Sequence, residues 1–189
     1  MFYKNVRTRI ELLEKIGDNF DKMIEHASNA IVESVNNDGT LFFAGNGGSA
    51  AEAQHMSAEY LATLDHRNFR PGIRSIALTT DSSFLTAWTN DFGYEEVFAR
   101  QLETLGRMGD VFMAYSTSGN SGNICKAIKK AKEKGLIIIG FSGNKGGEMS
   151  GLCDLCFIVP SSKTEHIQEV HTMIGHELCA LVEQKVAKA

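Results

Sequence analysis

The sequence has little proline, few cysteines and no long apolar run. Its 189 residues include two prolines and four cysteines. No apolar stretch approaches the roughly 20 residues that a membrane-spanning helix needs. The N-terminus also lacks the basic and then apolar pattern of a secretory signal. These absences exclude a membrane-spanning class and predict a cytoplasmic protein.

Excess positive charge is also missing. The formal net charge is −4, and no basic cluster or alternation of basic and aromatic residues is present. The sequence therefore predicts no nucleic-acid partner. A hydrophobic content of 43% over 189 residues is instead typical of a single globular domain with its own core.

The cysteines are Cys125, Cys153, Cys156 and Cys179. The Cys-x-x-Cys spacing of Cys153 and Cys156 suits a redox pair or half of a zinc site, but no second pair completes a four-cysteine site. Both residues enter an apolar run, and residues three apart on a strand point to opposite faces. We therefore expect a structural role, with the two thiols on opposite sides of a strand.

The first 36 residues carry an apolar stripe at helical spacing. The pattern predicts one long helix, or two helices broken near Gly17 and Asp18. The stripe contains no residue typical of a site, which favours packing against the core or against another subunit. Its members are Ile10, Leu13, Ile16, Phe20, Met23, Ile24, Ala27, Ile31 and Val35.

Five apolar runs rich in β-branched residues follow, at residues 40–44, 75–79, 111–116, 136–141 and 155–159. Helical stretches lie between most of them, and a last helix is predicted over about 164–188. Alternating strands and helices predict an α/β three-layer sandwich around a parallel sheet. We expect one domain over 1–189, with a helical segment at about 1–37 and an α/β core at about 38–189.

A glycine turn follows the first run. Gly45, Asn46, Gly47, Gly48 and Ser49 lead into a helix that carries His55 and Glu59. Such a turn offers backbone N–H groups and a helix N-terminus to an anion. Residues four apart share one helix face, so this histidine and glutamate could meet one metal ion or one substrate.

A second polar loop, at residues 116–123, follows the third run. Ser116, Thr117, Ser118 and Ser121 bring four hydroxyls to a turn with glycine, which suits either a phosphate cradle or an ordinary helix cap. Neither a Walker A sequence nor a dinucleotide-binding fingerprint is present. The loop therefore predicts a small phosphorylated substrate.

The last predicted helix carries Gln168, His171 and His176, and His166 just before them. Gln168 and His176 are roughly 12 Å apart along the axis and about 80° apart around it. One ion touches both only if it lies midway between converging side chains, or if the two come from different subunits. His166 and His171 fit helix-face or core histidines.

Together these motifs resemble the phosphoheptose isomerase branch of the sugar isomerase (SIS) domain family, over nearly the whole chain. The resemblance is carried by the residues named in the two loops, by His55 and Glu59, and by two further stretches. These are Thr89, Asn90, Asp91, Phe92, Gly93 and Tyr94, and then Ile167, Gln168, Glu169, Val170, His171 and His176.

The resemblance implies a flavodoxin-like, five-stranded parallel sheet and a cytoplasmic homotetramer with active sites at subunit interfaces. It implies interconversion of sedoheptulose 7-phosphate and D-glycero-D-manno-heptose 7-phosphate through an enediol, the first step towards activated heptose for lipopolysaccharide or capsule. It also implies one Zn²⁺ per subunit, held by His55, Glu59, Gln168 and His176. The implied substrate contacts are Asn46, Gly47, Gly48, Ser49, Glu59, Asn90, Asp91, Ser116, Thr117, Ser118, Ser121 and Gln168.

Two mechanisms stay open at this point. Glu59 as base and His176 as acid can move the proton, or the zinc ion can polarise the carbonyl as a Lewis acid. An alternative function is a non-catalytic SIS protein that binds a phosphosugar or a replication initiator, and another is an isomerase of hexose or amino-sugar phosphates. The chain departs from the family at Thr63 and His166, where arginines are common, and Arg67 or Arg70 is a candidate to replace the first.

Overall fold

The fold alternates helices and strands along the chain. A computed structural model describes residues 2–67 and 69–186. The elements are α1 (Phe2–Asn36), β1 (Leu41–Ala44), α2 (Gly48–Leu61), β2 (Ser75–Ala77), α3 (Ser82–Phe92), α4 (Val97–Leu105), β3 (Val111–Ser116), α5 (Gly122–Glu133), β4 (Ile137–Gly143), β5 (Leu155–Val159) and α6 (Thr164–Val186). Two short 3₁₀ turns lie at Tyr94–Glu96 and Glu148–Gly151.

The five strands form one parallel sheet in the order β2-β1-β3-β4-β5. One face packs on α1, α2 and α6, and the other on α4 and α5. This confirms the predicted α/β three-layer sandwich and its flavodoxin-like strand order. The direction of winding reverses between β1 and β3, and ligands of such sheets bind where the carboxyl ends of those strands diverge.

The central strands are buried on both sides, which explains their continuous apolar sequences. All six residues of β3 are buried. The predicted bounds of β3 and β5 agree with the structure, whereas β4 was predicted to end at Phe141 and runs on to Gly143. The reason is long-range pairing, because Ser142 and Gly143 continue the ladder opposite Ile158 and Val159.

The N-terminal segment forms a single helix, without the alternative break at Gly17 and Asp18. A glycine inside a helix costs only about 1 kcal/mol, and the packing of one apolar face can offset that cost. Ile16, Phe20 and Ile31 are buried in the core on the α6 side of the sheet. At the other end, α6 is described as far as Val186, so the last predicted residues of this helix lie outside the described part.

The prediction that Cys153 and Cys156 point to opposite faces is wrong. Strand β5 begins at Leu155, so Cys153 lies in a bend before it and does not follow the strand alternation. Both sulfur atoms instead approach Gly140 of β4.

No helix among the described residues is long and apolar enough to cross a bilayer.

Candidate active site

Two loops meet at the carboxyl ends of β1 and β3, and we call residues 45–49 and 116–123 the strand-end loops. Gly47 is the N-cap of α2 with a φ of 56°, a conformation that favours glycine, and it gives the helix no side-chain cap. Ser121 is the N-cap of α5, and its hydroxyl does not cap that helix either. Two helix N-termini therefore open onto the point where the winding reverses, an arrangement suited to an anion.

An amide network ties the first loop to α5. The side chains of Asn46 and Asn123 are paired through two N···O distances of 2.9 Å. The Tyr94 hydroxyl also donates to Asn46 Oδ1, at 2.8 Å. This network fixes the side chain of Asn46. The sequence motifs did not identify Asn123 and Tyr94 as its contacts.

The hydroxyls of the second loop face one another. Ser116 Oγ lies 2.9 Å from Ser121 Oγ and 3.4 Å from Ser118 Oγ. Ser118 is exposed and Thr117 is half-buried, whereas Ser116 is buried. The structure thus brings the predicted phosphate hydroxyls together and leaves their open side at the surface.

Helices α2 and α6 lie side by side in the same direction, and their contacts repeat at a nearly constant sequence offset. We call this contact the α2–α6 seam, and it is defined by four pairs: Gly48 with Gln168, Glu52 with Thr172, His55 with His176, and Thr63 with Glu183. At its first pair a side chain on Gly48 would collide with the amide of Gln168. A larger residue at Gly48 would therefore displace the Gln168 amide from its present position.

The seam gathers three predicted metal ligands within a single chain. His55 Nε2 lies 2.9 Å from His176 Nε2, and His55 Nδ1 lies 3.8 Å from Glu59 Oε1. One ligand atom from each residue can be chosen so that all three lie within 4.8 Å of one another. His55 is exposed, with 44% of its side chain accessible, and Glu59 is half-buried, so the group is open to solvent on one side.

These donors fit a divalent cation. Two imidazole Nε2 atoms at 2.9 Å must share a proton or a cation, because two lone pairs at that distance repel each other. Two nitrogen ligands of tetrahedral zinc are about 3.3 Å apart, so small side-chain rotations would suffice. Among the described residues this is the single cluster of three or more histidine, cysteine or carboxylate ligands.

The fourth predicted ligand, Gln168, lies near the other end of the seam. It lines a cavity of about 410 Å³ with Gly48, Glu52, His55 and Thr172. Gln168 is two helical turns from His176 along α6, as the sequence predicts. The cavity that Gln168 lines also reaches His55.

Glu52 is a site residue that the sequence analysis missed. Thr172 donates to Glu52 Oε2 at 2.6 Å, while Glu52 Oε1 is buried and has no hydrogen-bond partner. Glu52 is three residues before His55, and this i, i+3 spacing on one helix face was the signal that could have identified it. A buried carboxylate oxygen without a partner needs a water, a proton or a ligand.

Asn90 and Asp91 stand at the end of α3, where both side chains are exposed and hydrogen-bonded to each other at 2.8 Å. Asn90 lines a second cavity with Tyr94, which in turn contacts Asn46. This pair is therefore connected to the strand-end loops through Tyr94.

Three other polar residues of α6, His166, His171 and Glu183, are buried. His171 is buried, and its Nε2 lies 3.0 Å from the Ser142 carbonyl oxygen; burial lowers its pKa to about 4. His166 is buried too, as the sequence predicts. Thr63 donates to Glu183, which also pairs with the buried Arg70. Arg70 is thus unavailable to replace a surface arginine, whereas Arg67 is exposed and pairs with Asp65.

Comparison with known proteins agrees with this architecture. Residues 2–143 match the model of the SIS domain family. A phosphoheptose isomerase of Aneurinibacillus thermoaerophilus is 50% identical over 87% of this chain and 82% of its own. The solved phosphoheptose isomerases of Neisseria gonorrhoeae and Francisella tularensis superpose with TM-scores of 0.89 and 0.92, at 34% and 31% identity. Each comparison covers 97% of this chain, and 97% and 96% of those chains.

The class defined by the fold and the site is therefore a SIS domain. Within that family, the chain belongs to the phosphoheptose isomerase branch.

Proposed function

We propose that the chain is a phosphoheptose isomerase that interconverts sedoheptulose 7-phosphate and D-glycero-D-manno-heptose 7-phosphate. The observation that carries the proposal is the convergence of His55, Glu59 and His176, together with a cavity that extends from His55 to Gly48 at the first turn of α2. A sugar phosphate needs a helix N-terminus that binds its phosphate and acid–base groups at the carbon atoms that exchange a proton. The relatives named phosphoheptose isomerase support the same activity.

In this proposal Glu59 is the base and His176 is the acid. Glu59 Oε1 takes the proton from C1 of the ketose, while His176 donates a proton to the carbonyl oxygen on C2, which gives the cis-enediol. Glu59 then gives this proton to C2 while His176 takes the proton of the C1 hydroxyl, so that C1 becomes the aldehyde carbon of the aldose and both residues return to their starting protonation states. His55 lies between the two residues and orients both, through Nδ1 towards Glu59 and Nε2 towards His176.

A zinc ion is the proposed cofactor, one per subunit. His55, Glu59 and His176 would hold it, with Gln168 as the fourth ligand. When bound, zinc supplies Lewis acidity that polarises the carbonyl oxygen and stabilises negative charge on it. A carboxylate held by a metal is a poorer base, so Glu59 must leave such a site if it accepts the proton itself.

Substrate binding is proposed to use the strand-end loops. The backbone of Gly47, Gly48 and Ser49 and the hydroxyls of Ser116, Thr117, Ser118 and Ser121 would bind the phosphate and nearby sugar oxygens. Asn46, Asn90, Asp91, Glu59 and Gln168 would contact the sugar. The grouping of the Ser116, Ser118 and Ser121 hydroxyls supports this role, because Ser118 lies at the exposed side of the group.

We also propose that the protein is a cytoplasmic homotetramer with one domain per chain and with active sites at subunit interfaces. Its product would enter the synthesis of activated heptose for lipopolysaccharide or capsule. Exposed apolar side chains support assembly: Phe69 and Met108 are 87% and 86% accessible. An apolar groove between α1 and α6, lined by Leu13, Phe20 and Met173, is a second candidate contact.

The decisive experiment is to incubate the protein with sedoheptulose 7-phosphate and, separately, with fructose 6-phosphate, and to follow both by NMR. Formation of the aldoheptose phosphate is expected from the first only. Conversion of fructose 6-phosphate alone would favour a hexose phosphate isomerase, and no conversion of either would favour a binding protein.

A further inference from the structure

A pair of thiols meets in the layer opposite the proposed active site. Strand register places Gly140 of β4 opposite Cys156 of β5. A Cβ atom on Gly140 would lie 2.5 Å from Cys153 Sγ and 3.1 Å from Cys156 Sγ. Both sulfur atoms therefore occupy the space that the missing side chain leaves open, on the α5 side of the sheet.

The local backbone explains the convergence. The Cys153 N–H donates to the Met149 carbonyl, and the chain then bends before β5 begins at Leu155. This bend returns the Cys153 side chain to the face on which Cys156 lies. Neither residue is fully buried, in contrast to Cys125 and Cys179.

The two thiols lie close enough to affect each other's ionisation. The Cys153 thiol lowers the pKa of Cys156, while Cys156 and burial raise the pKa of Cys153. By contrast, burial raises the pKa of Cys125, and it raises the pKa of Cys179 to about 12. Thiolates are the reactive form of cysteine, so the four residues differ in nucleophilicity.

We propose that Cys153 and Cys156 form a reversible dithiol–disulfide site that is oxidised by peroxides. The juxtaposition at Gly140, the half-exposure of both residues and the bend before β5 carry this inference. It does not rest on the proposed isomerase activity, because neither cysteine belongs to the strand-end loops or to the α2–α6 seam.

The chemistry balances with hydrogen peroxide as the oxidant. The Cys156 thiolate attacks one peroxide oxygen, the O–O bond breaks, and hydroxide leaves and takes up a proton to form water. Cys156 is then a sulfenic acid. The Cys153 sulfur attacks the Cys156 sulfur and displaces the hydroxyl group as a second water. Two thiols have lost two electrons, and the peroxide has gained them.

The test is to treat the intact protein with hydrogen peroxide, count free thiols after denaturation, and analyse the peptide that contains both cysteines by mass spectrometry. We expect the loss of two of the four thiols, a peptide lighter by two hydrogen atoms, and full recovery with dithiothreitol. Similar loss of all four thiols, or a peptide with sulfenic or sulfinic acids and no disulfide, would overturn the proposal.

Variants separate the two roles. In Cys153→Ser, dimedone should trap a sulfenic acid on Cys156, whereas Cys156→Ser should react with peroxide at least about tenfold more slowly. The matched control is Cys125→Ala, which should form the disulfide at the parent rate. Equal reactivity of Cys153→Ser and Cys156→Ser would refute Cys156 as the attacking sulfur.

Gly140→Ala is a sharper variant, because it keeps both cysteines and places a methyl group between their sulfur atoms. We expect disulfide formation to slow at least about tenfold. Circular dichroism checks its folding, and if it does not fold, the peptide analysis of the parent protein decides the proposal alone. Disulfide formation at the parent rate in folded Gly140→Ala would contradict the geometry.

Discussion

The strand-end loops and the α2–α6 seam differ in how well their polar groups are satisfied. In the loops, Asn46 pairs with Asn123, and Ser116 pairs with Ser121. In the seam, two imidazole nitrogens face each other at 2.9 Å, and Glu52 Oε1 has no partner. A ligand of the loops must replace internal hydrogen bonds, whereas a ligand of the seam supplies interactions that are missing without it.

This difference has an energetic consequence. Replacing a satisfied hydrogen bond by one to a ligand yields little net free energy, while partnering a buried orphan group recovers its desolvation cost of about 1–3 kcal/mol. We therefore expect substitutions in the seam to have larger effects than substitutions in the loops.

The largest effect is expected from Glu59→Gln. The amide keeps the shape of the side chain but cannot accept the proton, so kcat should fall by about 10²–10⁴-fold. Steady-state kinetics with sedoheptulose 7-phosphate measure this, and Glu133→Gln, a surface carboxylate paired with Lys130, is the control. A kcat within about tenfold of the parent would exclude Glu59 as the general base.

His171 belongs to neither region: it lies on α6 and contacts the carbonyl oxygen of Ser142 near the end of β4. Its folded-state pKa of about 4 lies below the ordinary 6.5, so the unfolded chain takes up the proton first as the pH falls. The contribution of neutral, buried His171 to the free energy of unfolding is fully present above pH 6.5 and is lost progressively as the pH falls to 4. The expected loss is about 3 kcal/mol of unfolding free energy.

Urea unfolding at several pH values checks this prediction against His171→Gln, which keeps a donor for Ser142 but does not titrate. The parent should lose stability more steeply than the variant between pH 6.5 and 4. Parallel curves for the two proteins would show that His171 does not determine the slope.

A smaller effect is expected from Ser118→Ala combined with Ser121→Ala. Charge-assisted hydrogen bonds are worth about 1.5–3 kcal/mol, but binding must first break the contact between Ser116 and Ser121. We therefore expect KM to rise about tenfold with kcat nearly unchanged. Substrate saturation curves measure this change. An unchanged KM would place the phosphate elsewhere, and a loss as large as that of Glu59→Gln would remove the distinction between loops and seam.

No effect is the expected result of subunit mixing. The sequence left open that Gln168 and His176 come from different subunits, but His55, Glu59 and His176 converge within one chain. Glu59→Gln and His176→Ala proteins, dissociated, mixed and reassembled, should therefore stay inactive. Recovered activity would mean that catalytic residues are shared between subunits, with the seam arranged differently in the assembly.

The fold was more predictable than the pairing inside the site. The β3 run could be bounded because a continuous apolar sequence reports burial on both faces of a central strand. His55 and Glu59 were identifiable because their i, i+4 spacing is local. The contact between Asn46 and Asn123, and that between Glu52 and Thr172, join residues far apart in the sequence. Such contacts depend on how helices settle against the sheet, which no local pattern specifies.

The same limit explains the error about the thiols. Alternation along a strand is a sound rule, but it applies only within the strand, and β5 begins two residues after Cys153. The clue that could have corrected the prediction was Gly140, an isolated glycine in an apolar run, since such a glycine often marks the close approach of another group.

Because residues of α2 and α6 contact each other at a constant sequence separation, the function depends on the length of each helix. One residue inserted in α6 between Gln168 and His176 would turn His176 by about 100° and move it about 1.5 Å along the axis. His176 would then point away from His55 even though every side chain of the site was retained. Insertions near Pro160, before α6 begins, would leave the rotation of His176 about the helix axis relative to Gln168 unchanged. Among relatives, insertions and deletions should therefore be excluded from these two helical stretches more strictly than many substitutions are.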